Sequence, residues 1–521
     1  MAGARPADSD TQPNTDKRLR TRRRWIRRSI LLAFLLAWTA TGLWHSYKPL
    51  PPGVHVASAW HDVPLADLRL LFDTTVTDGR GRLVIRQEIF DEVLRLIDAA
   101  REFVVLDFFL FNDLGGKLAP GAQPHRALSS ELQRRLLDRK RVNPQLRILF
   151  VTDPINDVYG GAPSPMLEEL RAAGIDVVST NLERLRDSNA GYSALWRMLV
   201  GWWDADARGP GWLPNPLETG PERVTLRAWL RLLNFKANHR KLIVADDGAG
   251  GVVAVVTSAN PHDASSSHSN VGVRFSGSLA HDIVRSESGI ARFSGWNGEL
   301  PPSATSTPAT GNDAAAGNAA GPAVRMQFLT EGAVQNALLT VLGTAQRGET
   351  ISIAVFYLAD REILDALVAA ARRDVRVRII LDPNKDAFGR SKDGVPNRPV
   401  AAELVRRSGG RIEVRWYRTH GEQFHVKLAV VQREDALWAM LGSANFTRRN
   451  LEDYNLEANV ALETARDSPV ARQLNEYFEM LWQNDALALR EYTTDFPTYE
   501  DQSFARYWRY RVMEATGLST F

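Results

Sequence analysis

The 521-residue chain has no cysteine. Disulfides, thiolate metal sites and cysteine nucleophiles are therefore excluded. Net charge is also small, +3 over 64 basic and 61 acidic residues, and it is unevenly placed. Residues 1–28 hold nine Lys and Arg against three Asp, so the remainder of the chain carries −3. A body of that sign lacks the basic face of a nucleic-acid-binding protein and argues against such a partner. With 44% hydrophobic and 24% charged residues, the composition also excludes collagen-like, wholly disordered and polytopic membrane proteins.

One apolar stretch stands out. Ser29 to Trp44 is a 16-residue run without a charge. At 1.5 Å per residue it reaches about 24 Å, and Trp25 and Ile26, with Arg27 and Arg28 snorkelling, extend it toward the roughly 30 Å of a hydrocarbon core. Trp38, Trp44 and Tyr47 suit an interfacial belt. The pattern predicts a basic cytoplasmic tail over 1–28 and a transmembrane anchor over 29–46. The positive-inside rule puts the chain beyond Tyr47 on the far side, the periplasm for a bacterial source. The competing reading is a cleaved export signal, for which Ala40-Thr41-Gly42 is a poor cleavage site and Ala57-Ser58-Ala59 lies too far from the apolar run.

Residues 301–323 are built of Pro, Ala, Thr, Ser and Gly with one charge, and read as a flexible linker between 53–300 and 324–521. The two parts repeat one another. Phe103–Asp113 resembles Thr350–Asp360, and both are apolar, β-rich runs as in a strand buried on both faces. Leu146–Pro154 matches Val375–Pro383, and the strands after Gly174 and Gly410 match in turn. Helical patterns at Ile89–Ala100 and Ala333–Ala345 precede the first pair. Strands alternating with helices predict an α/β fold with two similar domains, each a sheet flanked by helices. From Asp153 to His239 is 86 residues, but from Asp382 to His425 only 43. The excess falls at about 190–230, a segment holding Trp196, Trp202, Trp203, Trp212 and Trp229. It reads either as an interfacial segment dipping into a bilayer or as a core helix.

The repeat also carries chemistry. His239 and Lys241 are followed by Ser258 and Asn260; His425 and Lys427 are followed by Ser443 and Asn445. Residues i and i+2 of a strand share a face, so each His projects beside its Lys, next to Ser and Asn from a neighbouring strand. An imidazole, an ammonium, a hydroxyl and an amide converging in duplicate suit a phosphodiester and supply a nucleophile that titrates near neutrality.

These motifs resemble those of the phospholipase D superfamily, whose signature is His-x-Lys-x4-Asp. His239 to Asp246 fits in full; His425 to Gln432 fits except that Gln432 replaces the Asp. Gly442-Ser443-Ala444-Asn445 and Asn455-Leu456-Glu457 resemble the superfamily's second motif, in the manner of bacterial phospholipases and cardiolipin-synthase-like phosphatidyltransferases. The resemblance implies two α/β domains related by a pseudo-two-fold around one active site. One histidine, His239 by family precedent, attacks phosphorus; the other, His425, protonates the leaving alcohol and then activates water or an acceptor alcohol. Lys241, Lys427, Asn260 and Asn445 would hold the non-bridging oxygens, with no cofactor and no metal. Glu457 is placed to orient an imidazole, whereas counting from Asn260 puts Gly272 at the matching position, leaving one histidine without a carboxylate.

Further candidates for the substrate site are Asp246, Ser258, Ser443, Arg448, His420 and Glu422, with Arg449 beside them. His262, Asp263 and His268 have no counterpart in the other half and so do not read as a metal site. The expectation is a membrane-anchored enzyme that cleaves or exchanges phospholipid head groups. A nuclease of the same superfamily and an inactive tethered binding module are the alternatives.

Overall fold

The computed structural model describes residues 12–113, 125–202, 211–217, 223–306, 323–387, 390–485 and 489–521. The apolar runs become central strands because they have no polar face to offer water. All six residues of Phe103–Phe108, Lys241–Asp246 and Val252–Thr257 are buried. The first mixed sheet has eight strands in the order Leu83–Arg86, Arg69–Thr77, Asn270–Ser276, Val252–Thr257, Lys241–Asp246, Phe103–Phe108, Arg147–Thr152 and Asp176–Ser179. The second has nine: His61–Pro64, Ala323–Leu329, Asn459–Ala465, Ala436–Gly442, Lys427–Gln432, Thr350–Val355, Arg376–Leu381, Ile412–Tyr417 and Thr493–Asp495. In each sheet the last strands of the shared order run parallel and the histidine strand pairs antiparallel with both neighbours. The chain is thus α/β, with two mixed sheets of the same plan.

Period-2 alternation divides the core into layers. Val252, Ala254 and Val256 point into a central core shared with Leu428, Val430, Ala439 and Leu441 of the second sheet. Val253 and Val255 face an outer core with Ile89, Val93 and Leu132, whereas Trp438 and Met440 face another with Leu338, Leu364 and Leu404. The two sheets therefore pack face to face, and each has its own helices outside.

Residues 55–64 depart from the sequence division. Their position in the chain groups them with the first half, yet His61–Pro64 pairs with Ala323–Met326, and Ser58 N donates to Phe328 O at 3.0 Å. The chain leaving the N-terminal helix thus runs along the edge of the second sheet. Of the stretch read as a linker, 302–305 form a helical turn whose Ala304 is buried against the first half; 307–322 lie outside the described residues. The predicted anchor is the second half of one helix, Gln12–Tyr47, and its apolar side chains are almost all exposed.

Asp246 stands at the opposite end of its strand from His239, and this corrects its expected place in the substrate site. Its carboxylate accepts the backbone N–H groups of Arg101, Glu102, Phe103 and Gly248 at 2.9–3.1 Å. The role is to satisfy a turn that the strand ladder leaves open. In the second half a backbone turn does this work, with Glu349 N donating to Gln346 O at 3.1 Å, so Gln432 has no such donors to serve. Asp246→Ala strips the acceptor from four backbone donors, of which the Phe103 N–H is buried, and is expected to cost about 2 kcal/mol in urea unfolding. Gln432→Ala is expected to cost under about 1 kcal/mol.

Candidate functional site

His239 and His425 each stand just before the strand that carries their lysine, and the two rings lie 6.5 Å apart between centroids. Each is pinned by the opposite half. His239 N donates to Leu456 O at 2.8 Å, and His425 N donates to Ser269 O at 2.9 Å. The residue before each histidine is held from its own half. Asp153 accepts Asn238 N at 2.6 Å, and Asp382 accepts Phe424 N at 2.8 Å. Both aspartates open an Asp-Pro turn at the end of a matching strand, and that repeated dipeptide is the signal by which the sequence could have nominated them as clamps.

The imidazoles are oriented through Nδ1. His239 Nδ1 faces the Glu457 carboxylate at 2.9 and 3.1 Å; His425 Nδ1 faces Ser258 O at 2.9 Å and Asn270 Oδ1 at 3.2 Å. All these partners are acceptors, so Nδ1 carries the proton in both rings and Nε2 presents a lone pair. Ser443 and Asn450 also donate to Glu457, and Ser258 Oγ donates to Asn270 Oδ1 at 3.0 Å. The serines thus hold the orienting groups.

Glu457 and Asn270 are structural counterparts, which corrects the count that put Gly272 opposite Glu457. Thr257 pairs with Gly272, and Gly442 pairs with Asn459. Ser258 and Ser443 come directly after those strands, so position 270 matches position 457. The connection is two residues shorter in the first half. His425 therefore has an amide where His239 has a carboxylate.

The lysines complete the pair. Lys241 Nζ donates to His239 O at 2.6 Å and lies 5.2 Å over the Phe109 ring; Lys427 Nζ donates to His425 O at 2.8 Å and lies 5.3 Å over Phe356. Phe109 and Phe356 each come just after the strand beside a histidine strand, and also touch the imidazoles at 5.0 and 5.2 Å. Sequence reasoning missed both, because an aromatic residue in an apolar run carries no distinguishing mark. Asn260 and Asn445 are buried beside their serines. Leu110 N donates to Asn260 Oδ1 at 3.3 Å, and Asn445 Oδ1 has no protein partner among the described residues.

Arg448, His420 and Glu422 do not join this group. The Arg448 guanidinium is taken by Glu452 at 3.2 Å and Tyr454 Oη at 2.9 Å, at the molecular surface. Glu422 accepts the His420 N–H at 2.9 Å in a turn that leans on Thr77. Neither contacts the histidine pair. Arg449 is buried over the Phe235 ring and donates to Ser519. Asp263 accepts from Ser129 N and Oγ as a helix-start clamp, and His268 lies 5.7 Å from the His425 ring. No group of three or more His, Asp or Glu among the described residues could hold a metal ion.

Burial dominates the electrostatics. It lowers His239 to about 4 against the opposing pull of Glu457, and lowers Lys241 to about 7. It pushes His425 and Lys427 well below their usual ranges, with the neighbouring cations adding to the shift. The site is thus a crowded set of buried bases whose charged forms burial disfavours and a bound anion would favour. Asn270→Asp places a carboxylate on the second imidazole. It should raise the His425 pKa by about 1–3 units in an NMR titration, leaving His239 close to its original value. An unchanged His425 would show that residue 270 does not face it.

Residues 338–482 match the family model of the cardiolipin synthase phospholipase D-like domain. Among solved structures, phosphatidylserine synthase from Haemophilus influenzae Rd KW20 superposes with a TM-score of 0.53 at 12% identity, covering 88% of this chain and 96% of that one. Nuc from Salmonella typhimurium, a phospholipase D family member, aligns at 22% identity with a TM-score of 0.24, covering 30% of this chain and 95% of that one. No curated protein matches the chain by sequence. Residues 338–482 thus carry a phospholipase D-like domain, and the first half repeats its sheet plan and its His-x-Lys motif.

Proposed function

We propose that the chain is a membrane-anchored phosphodiester-transfer enzyme of the phospholipase D type, acting on the head group of a phospholipid. The observation that carries this reading is the opposed pair of Nδ1-tethered imidazoles, 6.5 Å apart between centroids and flanked by two buried lysines. Nε2 of His239 attacks phosphorus while the bond to the leaving alcohol breaks. His425 supplies the proton to that oxygen. In the return step His425 takes a proton from water or an acceptor alcohol, whose oxygen attacks phosphorus and releases His239. Lys241, Lys427, Asn260 and Asn445 stabilise charge on the non-bridging oxygens. The carboxylate on His239 favours it as the nucleophile, because Glu457 stabilises the cation that forms as the N–P bond is made. Substrate charge is part of the machine: the phosphodiester anion restores to Lys427 and His425 the protons that burial disfavours.

The substrate class rests on the family match and on the anchor. The helix Ala190–Leu199 of the Trp-rich insert lies along the end of the N-terminal helix. Trp38 Nε1 donates to Gly191 O at 2.7 Å, and Gly42 leaves room for Ala190. Trp196 is buried and serves the core reading; Trp202 is 73% exposed and serves the interfacial one. Trp203 lies outside the described residues. An N-terminus in the cytoplasm and both catalytic halves on the far side complete the proposal.

The test uses the full chain in phosphatidylglycerol and phosphatidylethanolamine vesicles, with and without glycerol, and products resolved by mass. Phosphatidic acid or an exchanged phospholipid is expected, falling at least about 10³-fold in His239→Ala and in His425→Ala. The absence of lipid product, with cleavage of single-stranded or duplex DNA instead, would favour the nuclease reading. Silence on both would favour the binding module. In the free enzyme kcat/KM should already fall as pH rises through the acid range, because His425, which must carry the proton, is held well below its ordinary value, and should fall more steeply past about 7, where Lys241 loses its proton. His239, held down to about 4, should impose no loss between pH 5 and 7.

A further inference from the structure

The last helix, Phe504–Thr516, is amphipathic in an inverted sense. Its buried face presents Tyr510 and Glu514, and the Tyr510 Oη donates to Glu403 at 2.8 Å. Its outward face presents Phe504, Trp508 and Val512 at i, i+4 and i+8, which are 76%, 52% and 57% exposed. Residues at that spacing form one stripe along a helix, and Ala505 and Ala515 widen it. Of the helix's arginines, Arg506 pairs with Asp501 at 2.7 Å, Arg509 pairs with Asp393, and Arg511 lies over the Tyr510 ring, so the polar flank is held by the protein itself. A stripe of this kind facing water costs free energy unless something covers it.

The position of the helix says what covers it. Gly517, just past its end, lies so close to Ser188 that any side chain there would strike the Ser188 carbonyl. The neighbouring Asp187 is bound to the end of the N-terminal apolar helix. Asp187 N donates to His45 O at 2.9 Å, and Ser46 Oγ donates to Asp187 O at 3.1 Å. Two residues of contact thus join the end of the last helix to the last turn of the anchor. Tyr47 and Trp44, both strongly exposed, mark the same level.

We infer that Phe504–Thr516 lies on the lipid surface, with Phe504, Trp508 and Val512 in the headgroup–acyl boundary. A short interfacial helix with an apolar, aromatic stripe and a polar opposite face is the form such contacts take. The helix fixes the tilt of the catalytic halves: one end is tied to the anchor and its length, about 20 Å, is laid on the bilayer. The inference rests on the membrane reading above, specifically on the N-terminal helix being retained in the bilayer.

The absence of cysteine makes the test direct. Ala505→Cys, Val512→Cys and, as a reference, Glu434→Cys in the turn at the far end of the His425 strand are made singly in the full chain. Each is labelled with an environment-sensitive fluorophore and reconstituted in phosphatidylglycerol–phosphatidylethanolamine vesicles with plain or brominated acyl chains. Emission at positions 505 and 512 should fall two-fold or more in brominated vesicles and stay constant at 434. Equal emission at all three positions, in protein that resists carbonate extraction, overturns the inference. So does lack of quenching with disulfide formation between copies at 512, which would assign the stripe to a second chain. Protein released by carbonate would refute the anchor itself. Quenching at 505 and 512 without any lipid product would leave the inference standing and remove the proposed activity.

Discussion

Two backbone hydrogen bonds that cross between the halves govern the rest of the site. His239 N reaches Leu456 O, and His425 N reaches Ser269 O. Neither half therefore sets the position of its own histidine alone. The residues next in sequence to these acceptors, Glu457 and Asn270, are the ones that orient the imidazoles. One reciprocal contact thus fixes place and another fixes tautomer. Arg240, between His239 and Lys241, reinforces the seam: wholly buried, it bridges Glu287 of the first half and Glu331 of the second at 2.8 and 2.7 Å. Glu331 in turn accepts the Glu457 N–H at 2.9 Å. Such a buried ion cluster is costly to desolvate, and its value lies in the register it imposes.

The symmetry of the backbone is broken in the chemistry. A carboxylate backs one imidazole and an amide the other, while the lysines, phenylalanines, serines and asparagines match. This divides roles that a perfect duplicate would leave equal. Under the proposed mechanism the carboxylate favours the ring that becomes cationic as it bonds to phosphorus, and the amide gives the other ring no charge to hold its proton. The same asymmetry appears at the remote strand ends, where Asp246 caps amides that a turn near Glu349 satisfies for itself.

Much of this was legible in the residues. The paired His-x-Lys strands, the internal repeat and the two sheets come from period-2 geometry and continuous apolar runs, which leave few alternatives. What escaped has physical causes. Asn270 was hidden because loop lengths differ, and a fixed count from Asn260 lands on Gly272. Asp246 looked like a substrate-site residue because it belongs to the motif, yet motif membership does not distinguish a strand-end cap from a site residue. Arg448 looked available because the sequence cannot display the partners that occupy a guanidinium. Phe109, Phe356 and the exposed stripe of the last helix could not be told from core residues until the packing was seen.

In the proposed mechanism His239 forms the bond to phosphorus and His425 moves the proton. This assignment is tested most directly by rapid acid-free quenching during turnover on a phospholipid radiolabelled at phosphorus, with the modified chain then mapped by peptide under alkaline conditions. Label is predicted on the peptide containing His239, accumulating further in Asn270→Ala, where the second ring is less well held. Label on the peptide containing His425, or turnover with no label on either, would contradict it.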